Sequence, residues 1–362
     1  MEILPKTLGT RPRLAVEVRA EGVVAARAED AAAILTAVSR ADLAEGVVTP
    51  GLRAGNFTDT TVVVAAVRKA LDSVAANARE RSRDVTVVVP DAAVRVLFLE
   101  FDQLPSKPVE ALPVVRFRLK KLLPFDADHA VVSYQVMSSE KGSIKVLAVG
   151  MPKDVLEEYE SVVLAAGYVP GAVLPSTLAA LAGLEDDAAP ALVVNAGAGA
   201  VTTAIVQSGA LLLHRSVDMR AEGNTGSAVP VEGVSPAPVS ATASWLEEPG
   251  GLDRFEAEAR MQSSVVETEV LHEVGLKMMA YDVAQAVSVA AAYFEDSLQR
   301  SPDELLVAGT LGAENIAAMM DEIGVEGLRV KEMVDAGMIE AGAVTSRVPR
   351  GWLAGVRGAL KN

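Results

Sequence analysis

The run Val85-Thr-Val-Val-Val89, which is followed by Pro90, has no charged side chain on either face. A strand that is apolar on both faces is typical of the centre of a sheet covered by helices on both sides. Near the start of the chain, two short β-rich runs, Leu14–Val18 and Val23–Arg27, flank a turn that contains a glycine and predict a hairpin. Together these segments predict an α/β fold in which residues 1–90 form a first lobe.

Two stretches without charged residues, Ser161–Leu184 and Ala188–His214, are long enough to cross a bilayer. Glycines and prolines interrupt the first, and the second alternates glycines with β-branched runs. Both therefore predict buried elements of a water-soluble core. The segment Met1–Arg13 lacks the pattern of a cleaved signal peptide, so a cytoplasmic protein is expected.

The composition excludes several classes of function. With 48 acidic and 33 basic residues, the net charge is −15, and such a chain repels nucleic-acid phosphates. There is no cysteine and the three histidines are isolated, so no metal site and no Ser-His-Asp triad is predicted. The paired acids Glu157-Glu158 and Glu247-Glu248 fall on a predicted solvated face or loop and are not expected to act as acid–base groups.

The order strand, helix, strand, strand, helix, strand predicts that residues 91–173 form an α+β subdomain inserted into a larger domain. Its first helix, predicted over Pro108–Leu122, contains the only basic cluster: Arg116, Arg118, Lys120 and Lys121. Such a cluster is typical of a solvated helix face, and a docking surface for an acidic partner or the membrane interface is the alternative.

Residues 174–330 are predicted to form a second lobe that starts with a strand, a tight turn and a strand. Within it, residues 220–261 are rich in Gly, Pro, Ser and Glu and show almost no periodicity, so a mobile loop is predicted there. Residues 331–362 are expected to return to the first lobe.

Four segments of the inserted block have a specific pattern: Val114–Asp126, Tyr134–Val136, Val146–Val155 and Ala166–Pro170. Together with the order of elements, they resemble the PilM family of type IV pilus assembly proteins. This family belongs to the actin-like ATPase superfamily, in which the cell-division protein FtsA is a more distant relative. The resemblance implies an α/β, ribonuclease H-like, two-lobed fold with an inserted α+β subdomain.

The same resemblance implies a nucleotide cleft with altered motifs. The Asp-x-Gly of the first hairpin is matched by Glu17-Val18-Arg19, that of the second by Asn195-Ala196-Gly197, and the adenosine-side Gly-Gly turn by Ala308-Gly309-Thr310. The candidate cofactor-binding residues are Glu17, Arg19, Asn195, Gly197, Gly199, Thr202, Gly309 and Thr310. Because phosphoryl transfer depends on placing a metal ion and a water, these changes argue against hydrolysis. ATP is the implied cofactor, no catalytic residue or metal ligand is assigned, and binding without cleavage stays open.

The function implied by the resemblance is assembly of a type IV pilus machine. The chain would lie under the inner membrane through its partners, as a homo-oligomer or ring, and bind the N-terminal peptide of a PilN-like membrane protein. The expected docking place lies between the strand Val94–Phe101 and the corner Leu123-Pro124-Phe125, where a peptide adds to a sheet edge and an aromatic ring anchors it. The alternative, in which Phe125 packs under its own sheet, stays open.

Two other functions compete with assembly. The first is an active ATPase or small-molecule kinase of the same fold, in which Glu17 and Asn195 should both be Asp. The second is the cytoplasmic part of a type II secretion L-type protein, which should have a membrane helix after the actin-like region; the sequence shows none.

Overall fold

The computed structural model describes residues 12–76, 82–140, 142–185, 189–197, 199–219, 279–322, 324, 327–343 and 348–361. The predicted mobile loop over residues 220–261 lies outside the described residues and stays a prediction. In the described part of the chain, no helix is both long and apolar enough to span a bilayer.

The strands are β1 (Leu14–Arg19), β2 (Gly22–Ala28), β3 (Leu35–Asp42), β4 (Asp84–Val89), β5 (Arg95–Phe101), β6 (Ala130–Glu140), β7 (Ser143–Pro152), β8 (Val169–Pro175), β9 (Ala191–Ala196), β10 (Ala200–Gln207), β11 (Ala210–Asp218), β12 (Glu304–Gly309) and β13 (Arg329–Glu332). The helices are α1 (Thr60–Ala75), α2 (Pro108–Leu119), α3 (Lys153–Ala165), α4 (Ser176–Ala182), α5 (residues 279–298), α6 (Ala313–Glu322) and α7 (Leu353–Leu360).

The first sheet has the strand order β3-β2-β1-β4-β8. Strands β1 to β3 are antiparallel neighbours, whereas β4 lies parallel to both β1 and β8. The predicted hairpin is β1–β2, and the predicted central strand is β4, whose residues Val85–Val89 are all buried. On one face, α1 and α3 complete a core that includes Val67, Leu71 and Tyr159. Helix α1 begins after Asp59, whose carboxylate accepts a hydrogen bond from the Val62 amide.

The second sheet repeats this arrangement. Its order is β11-β10-β9-β12-β13, with an antiparallel β9-β10-β11 meander and parallel pairing of β12 with β9 and β13. Two sheets with the same order and directions are what a two-lobed, ribonuclease H-like fold requires. The chain therefore has the predicted two-lobed architecture.

Helices α4 and α7 contribute to one apolar core shared by the two sheets. The helices approach closely at Gly358, because a Cβ there would lie 1.8 Å from the Ala179 carbonyl oxygen. Arg357 of α7 donates hydrogen bonds to the carbonyls of Gly183 and Ala32. The end of the chain thus packs on the first lobe, where Glu340 and Leu35 also share a backbone hydrogen bond.

The inserted block contains a third, antiparallel sheet of order β5-β7-β6. Helix α2 buries Ala111, Val115 and Leu119 against it. The range 91–173, predicted for the inserted subdomain, includes the start of β8. This strand pairs with β4 and so belongs to the first sheet. Helix α2 ends at Leu119 and not at the predicted end, Leu122. The chain turns there towards Pro124, and a proline disfavours the helical conformation in the residue before it.

Candidate functional site

A buried polar cluster lies where elements of both lobes meet. Glu17 of β1 and Asn195 of β9 face each other across it, Asp91 follows β4, and Ser176 and Thr177 begin α4. All five side chains are buried. Because buried polar groups need partners, the hydrogen bonds within this cluster link the two lobes.

An ion pair joins Glu17 to Arg19 inside the cluster. The two residues are separated by one position on β1, so their side chains lie on the same face. An Arg19 Nη2 atom lies 2.7 Å from Glu17 Oε1, and Ser176 Oγ donates to the same carboxylate oxygen at 2.6 Å. Burial raises the pKa of Glu17, although the Arg19 charge and the Ser176 hydrogen bond oppose this effect. The other carboxylate oxygen faces α7, where a Cβ at Gly355 would lie only 2.6 Å away.

Asn195 donates hydrogen bonds, which an ionised aspartate could not do. Its Nδ2 donates to Ser176 Oγ and Thr177 Oγ1, both at 2.9 Å. The same nitrogen lies 3.4 Å from Asp91 Oδ2, so a carboxylate at position 195 would face a like charge in a buried place. Its Oδ1 accepts only long bonds, of 3.4 and 3.5 Å, from Arg19. The neutral amide therefore fits this site better than the aspartate of the Asp-x-Gly pattern.

The remaining candidate residues form a second group around the β9–β10 turn. Gly309 has φ +100, and a Cβ there would lie 2.1 Å from the Ala196 carbonyl oxygen, so close contact between β12 and β9 requires this glycine. Thr310 donates to Glu21 of the first hairpin. A Cβ at Gly197 would lie 3.0 Å from the same Glu21 carboxylate. The Gly197 turn is therefore closed off by side chains from the opposite lobe.

Two predicted residues lie away from these contacts. Thr202 sits opposite Asn195 in the sheet, but its hydroxyl donates to Ser216 of β11 at 3.0 Å. Gly199 has no other atom within 4 Å of the place a Cβ would take. The Thr202 hydroxyl thus serves the pairing of β10 with β11, and no contact among the described residues requires a glycine at position 199.

Three members of the cluster were not predicted from the sequence: Asp91, Ser176 and Thr177. The Asp91 carboxylate accepts from the backbone amide of Thr177 at 3.1 Å and from its hydroxyl. His214 of β11 also lies near. Burial lowers the pKa of its imidazole, and the charge of Asp91 opposes this effect. Among the described residues, its Nε2 has no hydrogen-bond partner. The position of Asp91 in the sequence could have indicated its role. It follows the carboxyl end of a central parallel strand, where α/β sheets usually bind their ligands.

The arrangement does not fit a magnesium–triphosphate group. The pocket beside Arg19, Glu21 and Asp91 has a volume of about 40 Å³, which is room for about three water molecules. Glu17 is paired with Arg19, and position 195 is neutral. Among the described residues, no group of three acidic or histidine side chains is placed to hold a metal ion. Of the candidate cofactor residues, Arg19, Asn195, Gly197 and Gly199 line this small pocket.

The predicted docking corner packs largely on its own sheet. A Cβ at Gly150 of β7 would lie 3.2 Å from Leu123 Cδ1 and 3.8 Å from Phe125 Cζ. Both side chains are half-buried against the core of the third sheet, and only Pro124 is exposed. These contacts favour the alternative in which Phe125 stabilises the inserted subdomain, and docking at this corner stays a prediction.

Comparisons with known proteins place the fold. No protein-family model matches the sequence, and no curated protein matches it. Among solved structures, the chain is similar to a chain of the PilM-PilN type IV pilus biogenesis complex, with TM-score 0.66 and 16% identity over 96% of this chain and 98% of that chain.

Two further structures are similar at lower scores. The ethanolamine utilization protein EutJ from Carboxydothermus hydrogenoformans has TM-score 0.44 and 13% identity over 97% of this chain and 89% of that chain. The cytoplasmic domain of EpsL, an inner membrane component of the type II secretion system of Vibrio cholerae, has TM-score 0.37 and 16% identity over 66% of this chain and 90% of that chain. With the duplicated sheets and the inserted β5-β7-β6 sheet, the chain has the two-lobed actin-like ATPase fold, in a form similar over nearly its whole length to a chain of the PilM-PilN complex.

Proposed function

We propose that this chain is a cytoplasmic assembly protein of a type IV pilus machine. In this role it binds the N-terminal peptide of a PilN-like inner-membrane protein, and its cleft does not hydrolyse ATP. The observation that carries the proposal is the buried Glu17–Arg19 pair, at the positions where the first Asp-x-Gly motif is expected. The near-complete overlap with a chain of the PilM-PilN complex supports the partner.

The charges around the cleft support the proposal that it does not turn over ATP. Arg19 already pairs with Glu17 and bonds to Ser176 at 2.8 Å, which reduces the positive charge that it can offer to a phosphate. The carboxylates of Glu21 and Asp91 border the same pocket and would repel an anionic triphosphate. Since phosphoryl transfer needs a correctly placed metal ion and water, this cleft serves to hold the lobes together.

The groove for the peptide is proposed along β5. Among the residues that the structure describes, this strand pairs only with β7, and we propose that its other edge accepts the added strand. Phe98 of β5 lies opposite Leu147, which belongs to the core shared by the lobes. Opposite residues of an antiparallel pair point to the same face, so the 42% exposed ring of Phe98 faces the side of the lobes. An apolar peptide side chain could pack on it.

Binding of a fluorescent N-terminal peptide from the PilN-like protein of the same organism tests this function. Phe98→Ala should weaken binding about tenfold or more, since burying an aromatic ring is worth about 1.5–3 kcal/mol. Val62 of α1 is also 42% exposed, so Val62→Ala is the matched control and should bind normally. Phe125→Ala should lower the melting temperature, because this ring packs on β7. Equal affinities of the Phe98 and Val62 variants would contradict the groove.

A phosphate-release assay tests the cleft separately. The purified chain should release phosphate from ATP no faster than a buffer control, with or without Mg²⁺. Steady Mg²⁺-dependent turnover that Asn195→Lys abolishes would favour the competing hypothesis of an active ATPase or small-molecule kinase. This assay is independent of the peptide, so either half of the proposal can fail alone.

A further inference from the structure

Helix α2 has apolar side chains on the face that points away from its sheet. They are Val109, Pro113, Val114 and Phe117, with Leu122 in the turn that follows, and we call this set the α2 ridge. Val109 is 85% exposed and Phe117 is 67% exposed. A surface helix of a globular domain is normally polar on this side, and exposed apolar clusters mark interaction sites.

The ridge runs along the helix beside Glu110, whose carboxylate pairs with Lys107 at 3.3 Å. Val109, Pro113 and Phe117 follow one another at intervals of four residues, and this spacing places side chains one above another on a helix face. The opposite face of α2 is already buried on the third sheet. The ridge is therefore free of the inserted subdomain's own core.

Two unpaired cations flank the ridge. Arg118 and Lys121 are exposed, and within the described ranges neither forms an ion pair. The other two basic residues of the cluster are engaged, since Lys120 pairs with Asp128 and Arg116 donates to the Ala130 carbonyl at 2.8 Å. In a chain of net charge −15, a local positive patch beside exposed apolar side chains favours an anionic surface.

We propose that the α2 ridge binds the surface of a bilayer that contains anionic lipids. Val109 and Phe117 enter the headgroup region while Arg118 and Lys121 contact lipid phosphates, as on interfacial amphipathic helices. This inference goes beyond the proposed function, because it needs neither the peptide nor the cleft.

Two features favour a membrane over a protein partner. A side chain that is 85% exposed, as Val109 is, stands on a protruding surface and not in a groove that could enclose a peptide. The exposed cations Arg118 and Lys121 beside the ridge suit lipid phosphates, which a bilayer with anionic lipids presents across its whole surface.

Flotation with lipid vesicles tests the proposal on the full chain. Vesicles of 70% phosphatidylcholine and 30% phosphatidylglycerol should bind the protein, and binding to pure phosphatidylcholine should be about tenfold weaker or more, since each cation near an anionic surface adds about fivefold. Phe117→Ser should reduce binding about tenfold. Leu164 of α3 is 55% exposed, so Leu164→Ser is the matched control and should bind like the unchanged protein.

A fluorescence measurement reports insertion directly. In Phe117→Trp, the added indole emission should shift to shorter wavelength with anionic vesicles, whereas the indole of Leu164→Trp should not. Several outcomes would overturn the proposal: no binding to anionic vesicles, equal binding of the two serine variants, or Phe117-dependent retention on an acidic polypeptide without vesicle binding. Self-association that Phe117→Ser abolishes, without vesicle binding, would assign the ridge to a second copy.

Discussion

Replacing Arg19 by methionine tests whether the buried ion pair holds the cleft together. Glu17 is fully buried and Arg19 is 7% exposed, and their charged atoms lie 2.7 Å apart. Removing one partner of such a pair leaves an uncompensated buried charge, which costs about 3–5 kcal/mol. We therefore expect Arg19→Met to lower the free energy of unfolding by about that amount at a pH above the raised pKa of Glu17, where the carboxylate is charged.

A second variant and a surface control make this measurement specific. The double variant with Glu17→Gln and Arg19→Met removes both charges, so its loss should be smaller than the sum of the single losses by about 2 kcal/mol or more. The control is Arg329→Met, which breaks a 3.0 Å pair with Glu304. Arg329 is 69% exposed in its side chain, so its variant should lose at most about 1 kcal/mol.

Urea denaturation, followed by circular dichroism and by tryptophan fluorescence, gives these free energies when the two signals change together. If Arg19→Met costs no more than Arg329→Met, or if the double variant is additive, the buried pair does not stabilise the contact between the lobes. The cleft would then not owe its stability to this pair.

Three further outcomes follow from the geometry. Gly309→Ala should lower the free energy of unfolding by about 2 kcal/mol or more, because the added Cβ collides with a β9 carbonyl at a position of positive φ. Gly199→Ala should change the free energy of unfolding by no more than about 0.5 kcal/mol. Urea denaturation measures both values. Gly358→Ala should separate α7 from α4 and lower the melting temperature by several degrees in calorimetry. Burial raises the pKa of Glu17 in the folded protein above its ordinary value of 4.5. The protonated side chain therefore stabilises the fold fully below pH 4.5, and this contribution is lost as the pH rises through the folded-state pKa. Relative to Glu17→Gln, the unchanged protein should therefore lose stability over that window in a pH series of urea denaturations.

The sequence could predict the elements whose burial follows from a local pattern. The run Val85–Val89 is apolar on both faces, and β4 lies at an inner position of its sheet, between β1 and β8. The hairpin of β1 and β2 was equally local, because a glycine turn sets its pairing. These patterns, together with the family-specific segments of the inserted block, were sufficient for the fold.

The candidate site was only partly predictable, because its contacts join residues that are distant in the sequence. Asn195 could be recognised as a departure from a motif, but its partners Ser176 and Thr177 begin a helix whose place depends on the packing of two lobes. Likewise, no local pattern could distinguish a docking ring at Phe125 from one that packs beneath β7. Residues chosen by tertiary contact leave little signal in a single sequence.

The position of α7 has a consequence for biosynthesis. Its Arg357 bonds to the carbonyl of Ala32, 325 residues earlier, and its Gly355 lies against the Glu17 carboxylate. At about 5–20 residues per second, the ribosome needs roughly 15–65 s to make the intervening chain. During that time the β1–β2 hairpin has neither the helix that covers it nor the lobe that pairs with its buried charges. The nascent first lobe is thus a natural client for a chaperone, and a stalled or truncated chain that lacks α7 should be degraded or aggregate.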